Sequence, residues 1–184
     1  MWAGRRIGRL TGRFLTLTKA LILHGLRREQ KPSMKPPKSP LLSSPTTVAW
    51  WSCPGAVYFL AVGDPHIAIK IGVAAQTRSQ DLRASIKRRM DQIQSSNHLP
   101  IQLIGLVHFD KTNDDDLPMW RADALERELH NEFQHLARFA RDTRGSEWFT
   151  YSDELLARIQ DLSVPPEQLG LPRFFCSPIP ASSV

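Results

Sequence analysis

The chain has 184 residues, 41% of them hydrophobic, which suits one domain with tails better than two domains. Its two cysteines, Cys53 and Cys176, form no CxxC pair and no zinc spacing; this argues against a disulfide framework and makes a reducing compartment the default. The net charge of +6 is unevenly spread: residues 1–39 carry ten Lys/Arg and one acid, Glu29, whereas residues 40–184 carry 14 basic and 17 acidic residues, so a nucleic-acid surface on the folded part has to be a local cluster.

Residues 1–28 are rich in Arg and apolar residues and contain no acid. The stretch from Phe14 to Leu26 is broken by Lys19 and His24 and is too short and too polar to span a bilayer, so no membrane partner is expected. Three readings stay open for this segment: a mitochondrial-type presequence, a basic arm for phosphates, or sequence upstream of a start at Met34. Residues 30–49 are Pro/Ser/Lys-rich and read as a disordered linker, so 1–49 is taken as an N-terminal extension.

The periodicity then predicts a domain over 50–163. AVYFLAV (56–62) reads as a strand, GDPH (63–66) as a turn, and IAIKIGV (67–73) as a second strand. Period-two alternation puts Ile67, Ile69, Ile71 and Val73 on one face and Lys70 with Gly72 on the other. A helix is expected over 79–95, with Leu82, Ile86, Met90 and Ile93 as its apolar stripe and Arg83, Lys87, Arg88 and Arg89 as a basic cluster suited to backbone phosphates. IQLIGLVHF (101–109) is a third strand, and TNDDDLP (112–118) reads as a solvated acidic turn. A second long helix is expected over 119–137, with Leu125, Leu129, Phe133 and Leu136 inward. GSEWFTY (145–151) leads through a short extended piece to a last helix, DELLARIQDL, capped by Ser152. Residues 164–184 hold five prolines and read as a loosely packed tail to which Phe174 and Phe175 can dock. The fold class is α+β, a three-stranded antiparallel sheet flanked by helices.

Five segments in this order, AVYFL…IKIGV, RRMDQIQSSN, LERELHNEF and GSEWF, resemble the GIY-YIG nuclease superfamily. The set looks like the branch named for a phage T-five open reading frame, a DNA-binding domain, and for meiotically up-regulated gene 113. The resemblance spans residues 56–161 and implies a DNA endonuclease using one divalent cation, Mg²⁺ or Mn²⁺, with no small-molecule cofactor. Carried over position by position, it gives Tyr58, Lys70, Arg89 and His130 catalytic roles and Glu126 the metal. Lys87 and Arg88 then contact nucleic acid, and Gly72 and Glu147 support the site. A cytoplasmic setting is expected, or a mitochondrial one if the first residues are a presequence.

Helical spacing agrees with part of this. Glu126, Leu129, His130 and Phe133 fall at i, i+3, i+4 and i+7, so Glu126 borders the apolar stripe while Glu128 and Glu132 face outward. Blander roles exist for each residue: Glu126 can pair with Arg127 or Lys111, and His130 can be a structural histidine. Three departures from the superfamily stand out: Lys70 where better-studied nucleases carry tyrosine, Ala56 for the first glycine, and a longer stretch between Gly72 and Arg89. A lysine acts as a base near neutral pH only where burial lowers its pKa. The same fold holding DNA without cutting it is therefore the second expectation, and an interaction domain without nucleic acid the third.

Overall fold

The computed structural model describes residues 45–174 apart from Arg78 and Arg144. Expectations about the basic N-terminal segment, the linker as far as residue 44, Phe175 and Cys176 lie outside the described residues.

The chain begins with a short helix, α1 (Pro45–Trp51), where the linker was expected to continue. Proline suits a first helical position, because its missing N–H has no intrahelical partner there. Trp51 and Cys53 then turn inward against the core. The hairpin follows as β1 (Gly55–Val62) and β2 (Ala68–Ala75). Ile67, expected within the second strand, precedes it and is 47% exposed. Next comes α2 (Leu82–Gln94), shorter than the 79–95 expected because Asp81 caps it: its carboxylate accepts from the Ala84 N–H at 2.7 Å. We expect Asp81→Ala to cost about 1 kcal/mol in urea unfolding; an unchanged midpoint would show that the cap contributes nothing.

β3 (Ile101–Phe109) occupies the span expected for it. The acidic turn after it is only partly solvated. Asp114 and Asp115 are exposed, but Asp116 accepts from the Thr112 N–H and hydroxyl and from Arg121, which also donates to the Asp110 carbonyl. This turn sets the start of α3 (Pro118–Glu132). α3 stops short of the expected 137 and tightens into a 3₁₀ turn over Gln134–Leu136. The apolar positions Leu129, Phe133 and Leu136 suit either continuation, so the spacing could not reveal the change.

The short extended piece is a true strand, β4 (Trp148–Thr150), giving four strands where three were expected. Ser152 caps α4 (Asp153–Leu162) as anticipated, its hydroxyl accepting from the Leu155 N–H at 3.1 Å. Packing continues beyond 163. Val164 pairs with Leu106, the Leu103 N–H donates to the Arg173 carbonyl at 2.8 Å, and Leu171 is buried.

The sheet is antiparallel in the order β3-β1-β2-β4. Central β1 is buried along its whole length. Ala56, Tyr58 and Leu60 face the side covered by Ile86 and Met90 of α2, whereas Val57, Phe59, Ile69 and Ile71 face Met119, Leu129 and Phe133 and then Leu155 and Ile159 of α4. Two apolar layers thus clamp the hairpin that carries the sequence signature.

Candidate functional site

β4 pairs with β2 only over Ala68–Lys70, so the edge of β2 opens just beyond, at Ile71 and Gly72. Both backbone groups of Ile71 are met there by expected site residues: its N–H donates to the Glu147 carbonyl at 3.0 Å, and its carbonyl accepts from His130 Nε2 at 3.4 Å. Since a carbonyl only accepts, His130 carries a proton on Nε2 in this arrangement. Its ring meets Phe149 edge-on, with centroids 5.1 Å apart.

Across the hairpin Tyr58 is registered with Gly72 and Leu60 with Lys70, so Tyr58 and Lys70 share the α2 side of the sheet. The Tyr58 ring lies directly over Gly72: a Cβ there would sit 2.7 Å from the hydroxyl oxygen and 2.8 Å from Cζ. This close approach, not an unusual φ, is what requires glycine at position 72. Lys70 is only 7% exposed. Its ammonium is ion-paired with the Glu147 carboxylate and lies 5.8 Å from the centre of the Trp148 ring. Glu147 therefore engages β2 twice, by backbone and by side chain.

Glu126 enters from α3. Its side chain is 14% exposed, against 57% for Glu128 and 39% for Glu132, both of which pair with Arg158. The bland pairings do not form: Arg127 binds Asp123, and Lys111 approaches Asp114. Among the described residues the basic side chain within 4.0 Å of Glu126 is His130, whose Nε2 lies at that distance and forms an ion pair only when the imidazole is protonated.

The electrostatics place these groups in one neighbourhood. Burial pushes the Glu126 carboxyl up to about 7, Asp123 acting the same way while Lys70 and Arg127 oppose it. Burial pushes the Lys70 ammonium down to about 8, with Glu126 opposing and Arg89 assisting. Tyr58 rises to about 12, again chiefly through burial, with Arg89 opposing and Glu126 assisting. Burial also lowers His130; the Ile71 hydrogen bond opposes this, and Lys70 and Arg141 reinforce it. Arg89 and Glu126 are thus felt at both Tyr58 and Lys70, although they come from α2 and α3 on opposite sides of the sheet.

Arg89 is exposed and sits four residues after Ser85, whose hydroxyl donates to the Ala75 carbonyl and ties α2 to the end of β2. Arg88 and Lys87 are exposed further round the helix, Lys87 bridged to Asp91. The expected basic cluster is smaller than the sequence suggested, because Arg83 turns away and donates to the Gly170 carbonyl at 2.8 Å. Trp148, Asp123 and Arg141 border the site and were not anticipated. All three reach it only through folded proximity.

No group of three or more His, Cys, Asp or Glu suited to a metal occurs among the described residues. One largely enclosed carboxylate, that of Glu126, without a Lys or Arg partner among them still fits Mg²⁺, which is commonly held by one or two carboxylates, waters and substrate phosphate. No helix among the described residues is long and apolar enough to cross a membrane.

No curated protein and no solved structure matches this chain. The family model of the T5orf172 domain matches residues 55–163, from the first residue of β1 to just past α4. That match covers more than half of the chain and takes in the hairpin, Arg89, Glu126, His130 and Glu147. The chain therefore belongs to the T5orf172 domain family, a GIY-YIG-related family of DNA-binding and nuclease-like modules.

Proposed function

We propose that this domain is a DNA endonuclease, with Glu126 holding one Mg²⁺ or Mn²⁺ and Tyr58, Lys70 and Arg89 acting on the scissile phosphate. The observation that carries this reading is the meeting of Glu126, Arg89, Lys70 and Tyr58 in one electrostatic neighbourhood at the open edge of β2. When bound, the cation would neutralise phosphate charge and lower the pKa of its water. Arg89 is suited to holding charge that develops on the phosphorus oxygens. Tyr58, at about 12, stays a neutral phenol near pH 7, so it orients the attacking water rather than taking its proton. Lys70, at about 8, is mostly an ammonium at pH 7 but close enough to neutrality to give a proton to the leaving oxygen. His130, with Nε2 engaged by Ile71, positions the β2 edge beside Glu126. Lys87 and Arg88 offer backbone-phosphate contacts from the exposed side of α2.

The test is cleavage of supercoiled, branched and single-stranded DNA by the full chain, with Mn²⁺ and with chelator. Arg89→Ala is expected to lower the rate about 100-fold or more and to reduce the salt slope of DNA binding by about one unit. Cutting that survives intact in Arg89→Ala would sink the assignment. A second reading, a module that holds DNA without cutting it, has its own support: Lys70 is already ion-paired with Glu147, and Glu126 is about half protonated near neutral pH. Salt-sensitive binding without cutting under any metal would favour it.

A further inference from the structure

Beside Lys70 a cavity of about 470 Å³ opens between the C-terminal half of α2 and the segment that leads into β4. Lys70 lines it, as do Gln92 and Asn97 at the end of α2 and Arg138, Phe139 and Trp148 on the other side. We propose that this cavity is a subsite for one unstacked nucleobase, placed next to the scissile phosphate. It follows that the domain acts on nucleic acid with an unpaired or displaced base. The inference rests on the nuclease reading only for the phosphate that Lys70 and Arg89 would hold.

Four observations carry it. First, the walls are flat and apolar where a base needs them. Phe139 is 51% exposed and Ile67 of the same lining 47%, and the Phe139 ring is supported from behind by Gly145, whose added Cβ would lie 3.2 Å from Cδ2. Trp148 lines the same cavity. Second, the rim can address base edges. Asn97 spends its Oδ1 on the Leu99 N–H at 3.0 Å, leaving its amide N–H groups as donors, and the exposed Gln92 side chain has no hydrogen-bond partner among the described residues. Third, the charged residues of the lining, Lys70 and Arg138, are both cationic; Lys70 is paired with Glu147, but Arg138 has no carboxylate partner among the described residues, which suits an occupant carried on a polyanion. Fourth, the cavity is continuous with the candidate site. Lys70 belongs to both, and Gln92 follows Arg89 at i+3 along one helix face. A base stacked within a duplex has its faces covered by its neighbours, so the occupant must be unstacked.

The probes are a labelled single-stranded oligonucleotide, the same strand with a central abasic spacer, and the matched duplex. They are bound to the full chain by fluorescence anisotropy in chelator. The intact strand is expected to bind about 10-fold more tightly than the abasic one. Phe139→Ala should remove that difference without weakening abasic binding, and Phe139→Tyr should keep it. Equal affinity for intact and abasic strands, or an equal loss on both in Phe139→Ala, would overturn the proposal. The two readings separate cleanly. Metal-dependent cutting with no base-dependent binding removes the subsite and leaves the nuclease. Base-dependent binding with no cutting under any metal leaves the subsite and removes the nuclease.

Discussion

Glu126→Gln is expected to make the protein inactive and, above neutral pH, more stable. The stability half follows from linkage. The Glu126 carboxyl titrates at about 7 in the fold against an ordinary 4.5, because burial disfavours its charged form. Below about pH 4.5 it is protonated whether folded or not, and its burial is harmless. Between 4.5 and 7 the unfolded chain loses the proton first, and stability falls as the pH rises. Above 7 the fold carries a desolvated carboxylate at a cost on the order of 1–3 kcal/mol, since each pKa unit corresponds to about 1.4 kcal/mol. Glutamine keeps the shape and cannot ionise. In thermal melts with chelator, Glu126→Gln should therefore exceed the wild type by about 3–10 °C at pH 8 and match it at about pH 4, below the unfolded pKa. Cleavage should fall at least about 100-fold. An equal stability difference at both pH values would show that the gain has nothing to do with the buried charge. Loss of stability at pH 8 would mean that Glu126 holds the fold together. A residue that weakens the resting protein and is needed for its chemistry is what a functional carboxylate looks like.

Much of this site could be read before folding, for identifiable reasons. The hairpin is short in sequence, so period-two alternation alone puts Tyr58 and Lys70 on one face. Helical spacing separates Glu126 from Glu128 and Glu132 in the same way, and burial respects that order. The blind spots are long-range. β4 is three residues with no alternation to detect, and it exists because Ala68–Lys70 offers it an edge more than 75 residues earlier in the chain. Arg83 looked like part of a phosphate cluster because its partner, the Gly170 carbonyl, lies 87 positions away. Arg138 and Phe139 lie just past the end of the helix expected over 119–137 and became cavity walls only because the chain leaves α geometry after Glu132. The role of Gly72 lies between these cases: the motif marks it, but only the fold shows what fills the space its side chain would take.

That space supports the second large expectation. Gly72→Ala should destabilise the domain by about 1–3 kcal/mol, as overpacking does in a filled core. Elsewhere in a strand, Gly→Ala gains about 0.5–1 kcal/mol by restricting the unfolded chain. Here the new methyl would fall 2.7 Å from the Tyr58 hydroxyl oxygen and 2.8 Å from Cζ. The ring cannot swing aside cheaply, because Tyr58 is 4% exposed and belongs to the apolar layer beneath α2. A double-mutant cycle isolates the collision. In a Tyr58→Ala background the ring is gone, and adding Gly72→Ala should be neutral or slightly stabilising, so the sign of the substitution reverses between the two backgrounds. Urea unfolding of the four proteins measures it, and the same cost in both backgrounds would show that the ring is not the obstacle. The functional consequence runs in parallel. A ring displaced by the methyl takes its hydroxyl with it, so Gly72→Ala should cut poorly even at temperatures where it is fully folded. Gly72 would then be needed for where it puts the tyrosine, and a sound fold with a misplaced hydroxyl would be the signature.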